Sequence, residues 1–99
     1  MSILRVDLQE GFANDAIDVR VNGRASLHQE GVTTQGMLGL ATSAEIEVPE
    51  GLLSIEIEVP TKSLSKTIRL EPSESPYLGV SIGKGEIEHI LSKRPFGYA

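Results

Sequence analysis

From Ala44 to Val59 the chain reads AEIEVPEGLLSIEIEV, two runs of strict apolar/acidic alternation on either side of a Pro-Glu-Gly turn. Successive side chains of an extended strand point to opposite faces. Ile46 and Val48, then Leu53, Ile55, Ile57 and Val59, therefore share a dry face. Glu45, Glu47, Glu56 and Glu58 share a wet one. The spacing predicts a β-hairpin closed by the four-residue loop Pro49-Glu50-Gly51-Leu52. Its register sets Val48 opposite Leu53, Ile46 opposite Ile55 and Ala44 opposite Ile57.

The same period of two recurs along the chain. Ile3 to Gln9 alternates with Leu4, Val6 and Leu8 on one side. Ile17, Val19 and Val21 form the next apolar set and run straight into Asn22-Gly23, a strong two-residue hairpin signal because both residues tolerate positive φ. The returning strand is expected over residues 24–28, with Ala25 and Leu27 inward. After Val59, Pro60 to Ser63 reads as a turn into Leu64 to Leu70, where Lys66 interrupts the dry face. An inward lysine marks a strand end or a guarded edge. Leu78, Val80 and Ile82 make a further strand, and Gly83-Lys84-Gly85 turns it into Glu86 to Leu91. Seven or eight short antiparallel strands, turn signals every 8–12 residues or so and no amphipathic helix predict an all-β, two-sheet sandwich, Ig-like or prealbumin-like. A chain of 99 residues is one domain, residues 1–99.

Composition narrows the function classes. With no cysteine there are neither disulfides nor thiolate metal sites. Net charge is −5 and the nine cations are scattered singly or in pairs, so nucleic acid is not an expected partner. The N-terminal MSILRVDLQEGF alternates and carries charge, unlike a signal peptide. No apolar run approaches the ~20 residues of a membrane span, and the expectation is a soluble, cytoplasmic protein. Trp is absent and the aromatics are Phe12, Tyr77, Phe96 and Tyr98, which argues against a flat sugar-stacking face.

Val19-Arg20-Val21-Asn22-Gly23, then Gly31-Val32-Thr33-Thr34, then Val48-Pro49-Glu50-Gly51 before an alternating strand together resemble PEGA and carboxypeptidase-regulatory-like (prealbumin-like) β-sandwich domains. The resemblance spans roughly residues 17–70. It implies a sandwich fold and a mostly non-catalytic, modular role. A Pro60-Thr61 pair stands where those domains usually close the alternating strand with Gly-Tyr.

Chemistry-bearing candidates are few. In the hairpin register Glu45 lies across from Glu56, a mildly unfavourable like-charge pair, with Arg69 the nearest compensating cation, beside Ser54 and Glu56. Calcium needs six to eight oxygens gathered compactly, so a flat acidic strand face is expected to be solvated and no metal or cofactor is expected. His28 ends one strand and His89 lies on the last in phase with Ile87 and Leu91. Two histidines without a third ligand make no zinc site, and His89 is expected half-buried with its ring satisfied by backbone. A catalytic role would need a positioned partner such as Ser81 or Asp18. There is no Gly-x-Ser-x-Gly elbow, and no catalytic residue is expected.

Two segments lie outside the strand pattern. Glu30 to Ala41, punctuated by Gly31, Gly36 and Gly39, is either a crossover plugging one end of the core with Met37, Leu38 and Leu40, or a binding loop. The plug is the simpler expectation. The tail carries Arg94, Phe96 and Tyr98, residue types enriched at interface hot spots. It either folds back on the core or docks on another subunit, and folding back is favoured. The expected function is a small non-catalytic interaction or assembly module. Its partner is another protein or a second copy, met through a strand edge, the tail, or Met37 and Leu38. The alternative is a small-ligand or carbohydrate-binding module that uses the loop from Glu30 to Ala41.

Overall fold

The computed structural model describes residues 1–98 and contains eight strands. These are β1 (Ser2–Leu8), β2 (Asp15–Val21), β3 (Arg24–Val32), β4 (Thr42–Val48), β5 (Leu53–Val59), β6 (Leu64–Leu70), β7 (Tyr77–Gly83) and β8 (Glu86–Ser92). A single 3-10 turn, Pro60–Lys62, joins β5 to β6. Two four-stranded sheets result, sheet A in the order β4-β1-β7-β8 and sheet B in the order β3-β2-β5-β6. Every pairing is antiparallel except β1 with β7, which is parallel and departs from the all-antiparallel expectation. The long connection after β6 carries the chain back to sheet A in the direction of β1, and the Arg5 and Gln9 amides donate to the Pro76 and Val80 carbonyls.

The alternation predicts the buried faces correctly. Ile46, Val48, Leu53, Ile55, Ile57 and Val59 are all buried, with Leu4, Val6, Leu8, Ile17, Val19, Val21, Leu78 and Val80 packed in the same cluster. The hairpin, however, does not form. β4 pairs with β1, setting Ile46 beside Leu4 and Ala44 beside Val6. β5 pairs with β2 and β6, in the other sheet. Pro49 to Leu52 therefore spans the end of the sandwich rather than a hairpin. Placed in opposite sheets, the two runs turn their dry faces into one core from both layers; side by side they would still need a second layer.

The switch also relieves the glutamates. Glu45 lies across from Arg5, not Glu56. Glu56 lies across from Arg20, and Arg20 Nη1 meets Glu58 Oε1 at 2.7 Å. Arg69 does pair with Ser54, as the third-strand register predicts, but the cation that compensates the acids is Arg20.

Asn22 and Gly23, at φ of 52° and 81°, make the expected two-residue turn between β2 and β3. β3 runs four residues further than the alternation suggests, to Val32, through register shifts between Asp15 and Ile17 and between Val19 and Arg20. Gly31 sits there at φ 66°, which lets an irregular strand continue. Ala25 is exposed and only Leu27 is half-buried. Lys66 lies on β6, an edge strand, as its inward phase predicts, and its Nζ donates to the Ile87 carbonyl of β8 at 3.2 Å.

One buried carboxylate pins the start of β2 to the 3-10 turn. Asp15 accepts from the Ala13 amide at 2.8 Å, Thr61 Oγ1 at 2.6 Å and Lys62 Nζ at 2.7 Å. Burial pushes its pKa up, but the Ala13 amide, Lys62 and Thr61 together outweigh burial and hold it below the usual 3.8. A depressed folded-state pKa stabilises fully above the unfolded value and is lost as pH falls through the folded one. Urea unfolding followed from neutral pH to below 3.8 is expected to show a steeper loss for the wild type than for Asp15→Asn; parallel curves would contradict this role.

Candidate functional site

β1 carries Arg5 and Asp7 on the outward phase of sheet A, between the inward Leu4, Val6 and Leu8, and Gln9 follows directly after it in the same phase. An aspartate there reads as solvated, yet Asp7 is 1% exposed. The tail explains it. At the end of β8, Ser92 Oγ accepts from the Arg94 amide at 3.1 Å and donates to the Arg94 carbonyl at 2.8 Å. The chain then turns back, and Tyr98 Oη donates to Asp7 Oδ2 at 2.7 Å. Gln9 Nε2 donates to Tyr98 Oη at 3.0 Å, and Arg5 Nε donates to Asp7 Oδ1 at 3.0 Å. Burial is the largest influence on the Tyr98 phenol and raises its pKa; the Gln9 amide opposes it and Asp7 reinforces it. The hydroxyl therefore remains a donor at neutral pH.

Gly79 makes room for this arrangement. A Cβ there would lie 2.7 Å from Gln9 Oε1, so only glycine lets the Gln9 side chain lie flat across β7. A glycine inside a strand marks a close approach of this kind, and Gly79 is the signal by which this contact could have been found.

The loop between β3 and β4 comes to the same place, and it is not a plug. Met37 is 93% exposed and Leu38 is 42% exposed, while Leu40 is half-buried. The loop is nonetheless tied down. Gln35 and Leu40 form a bridge, and Leu38 and Gly39 donate to the Gln35 carbonyl at 3.0 and 2.9 Å. Thr34 Oγ1 donates to the Gln9 carbonyl at 2.6 Å, and the Ala41 amide reaches the Leu8 carbonyl at 2.7 Å. These bonds to β1 hold the segment outside the sandwich end, so the apolar tip faces solvent. Between tip and tail lies a groove of about 300 Å³ lined by Gln9, Glu10, Met37, Leu38, Gly39, Gly97 and Tyr98.

Of the five residues singled out from the sequence, Met37, Leu38 and Tyr98 thus meet around one groove. Arg94 is exposed and Phe96 half-buried, and neither lines it. Gln9 and Glu10, which do, carry no sequence signal beyond polarity at a strand end.

The histidines lie elsewhere. His28 Nδ1 meets Asp18 Oδ1 at 2.7 Å and Nε2 meets Glu30 Oε2 at 2.9 Å, on the outer face of sheet B. Glu30, then Asp18, raise its pKa, so this stabilisation is complete below the ordinary 6.5 and fades as pH rises through the higher folded value. The two carboxylates occupy opposite ring nitrogens, a geometry for an ion pair and not for one shared cation. Among the described residues, no group of three His, Asp or Glu side chains is placed to hold a metal ion. His89 faces β6; burial, then Lys66, lower its pKa. Its Nδ1 is buried without a hydrogen-bond partner, contrary to the expected backbone contact. Ser81 lies on the opposite face of sheet A, bonded to the Glu10 amide, and Asp18 is with His28. Neither approaches His89.

Comparison with family models, curated proteins and solved structures found no match. Among the described residues, no helix is long and apolar enough to cross a membrane.

Tyr98→Phe keeps the ring and removes one hydrogen bond from a buried carboxylate. It is expected to lower stability by about 1–2 kcal/mol in urea unfolding, and an unchanged midpoint would mean that the tail does not lie on β1.

Proposed function

We propose that the protein is a small non-catalytic β-sandwich that acts as a protein interaction or assembly module. The observation that carries this reading is the loop tip. Met37 is the most exposed large apolar side chain among the described residues, Leu38 beside it is also exposed, and both sit on a segment pinned at its base by hydrogen bonds to the end of β1. An ordered loop that holds apolar groups in water gains nothing from doing so in an isolated chain; covering them is favourable at about 25 cal/mol per Å². Tyr98 and the groove adjoin the tip, so a partner resting on Met37 also touches the tail.

The strand order supports a prealbumin-like over an Ig-like identity, in line with the resemblance to PEGA and carboxypeptidase-regulatory-like domains. In Ig sandwiches the first strand pairs with the second in one sheet. Here the first lies between the fourth and seventh, and the second lies in the other sheet.

A ligand-binding reading of the same loop is favoured only by the groove. At about 300 Å³ it is at the lower limit for small-molecule sites. It is also lined largely by Gln9, Glu10 and two glycines in place of the apolar walls such sites use.

The simplest partner is a second copy, since two-fold self-association is the commonest assembly. Light scattering is expected to show a mass above 10.7 kDa that grows with concentration, and Met37→Ser/Leu38→Ser is expected to abolish that growth without lowering the melting temperature. Equal association by wild type and double variant would contradict the loop tip as the contact.

A further inference from the structure

We infer that β4 is the edge that receives a partner strand, and that this strand alternates basic and apolar residues. The inference rests on the interaction reading above and adds, beside the loop-tip contact with a second copy, a further partner of stated chemistry.

A sandwich of two four-stranded sheets has four edges, and each is a template for a further strand unless it is blunted. Three are blunted here. β3 is irregular, with two register shifts and Gly31 at positive φ. β6 carries the inward Lys66, and that lysine caps the Ile87 carbonyl of β8, so these two edges carry a charge and an occupied acceptor. β4 has none of these devices. It is seven residues in unbroken register with β1, without proline, lysine or an inward charge.

The direction of its free groups follows from β1. The Arg5 and Gln9 amides donate toward β7, and alternate residues of a strand direct their backbone groups to opposite sides. Leu4, Val6 and Leu8 therefore address β4, where Ile46, Ala44 and Thr42 are their partners. Ser43, Glu45 and Glu47 turn their N–H and C=O groups away from β1, and β4 pairs with no other strand among the described residues.

Side chains then select the occupant. Glu45 and Glu47 are exposed on the outer face, while Ala44 and Ile46 point toward the seam with β3. A fifth strand beside β4 would set alternate residues against the two glutamates and the intervening ones over the apolar seam. Cations at the first set and aliphatics at the second complement β4. A second copy does not. A two-fold centred on Ile46 sets each copy's Glu45 against the other's Glu47, and like charges directly opposite are unfavourable. The loop tip with Met37 and Leu38 continues directly into β4, so an added strand prolongs the same contact surface.

The test uses the full chain and a synthetic eight-residue peptide that alternates lysine and valine, with two controls. One is the same peptide N-methylated at alternate residues, which keeps its charge but cannot complete a ladder. The other is the protein variant Ser43→Pro, which keeps both glutamates and removes one outward N–H at an edge, where proline is tolerated. Amide hydrogen exchange by NMR is expected to show new protection at Ser43, Glu45 and Glu47. Each control is expected to weaken binding by about tenfold or more. Equal binding of the N-methylated peptide, protection at a different edge, or no binding overturns the inference. If that happens while Met37→Ser/Leu38→Ser still abolishes self-association, the interaction reading stands and only β4 is removed from it.

Discussion

The structure depends on one constraint: a strand with a single dry face must be covered by another layer, and β4 and β5, in opposite sheets, each turn that face into the shared core. Ile46 and Val48 on one side and Leu53, Ile55, Ile57 and Val59 on the other are all at most 7% exposed. Truncating any one of them to alanine would cost roughly 2–5 kcal/mol, a large share of what a domain this size has. Pairing β4 and β5 as neighbours would leave both faces waiting for a cover and would set glutamates opposite one another. Crossing between sheets at Pro49 to Leu52 resolves both problems at once.

That crossing also decides what the surface can do. It sends β4 to the outside of sheet A, beside β1, and so leaves its acidic backbone edge open. It obliges the preceding loop to travel from β3, on sheet B, to β4, on sheet A. Hydrogen bonds from Thr34 and Ala41 to the end of β1 hold this loop outside the sandwich, which exposes Met37 and Leu38. The tail from β8 reaches β1 over the flat patch at Gly79 and buries Asp7 under Tyr98. Loop tip, open edge and tail are consequences of one topology.

Residues whose neighbours are local in sequence were legible beforehand. The buried faces follow from a period of two, the Asn22-Gly23 turn from its φ requirements, and the edge position of β6 from Lys66. Pairing between distant strands was not legible, because alternation states which face is dry but not which strand lies alongside. Hence the register of Ile46 with Ile55 was wrong while the burial of both was right. The site was half legible for the same reason. Arg94, Phe96 and Tyr98 stand out by residue type, but only Tyr98 meets the loop, and Asp7 and Gln9 acquire a role only once the tail crosses them. Met37 and Leu38 were expected inside because they are apolar; bonds made by their polar neighbours keep them outside.

The pairing of β4 tests the account most directly, since the open edge, the exposed loop tip and the proposed partner all follow from it. In an antiparallel sheet, α-protons of residues facing each other without mutual hydrogen bonds approach closely. The account predicts strong α-proton cross-peaks between Arg5 and Glu45 and between Ile3 and Glu47 in a nuclear Overhauser spectrum of the protein. Strong α-proton cross-peaks between residues of β4 and β5, such as Glu45 with Glu56, would mean that the hairpin forms and would contradict it.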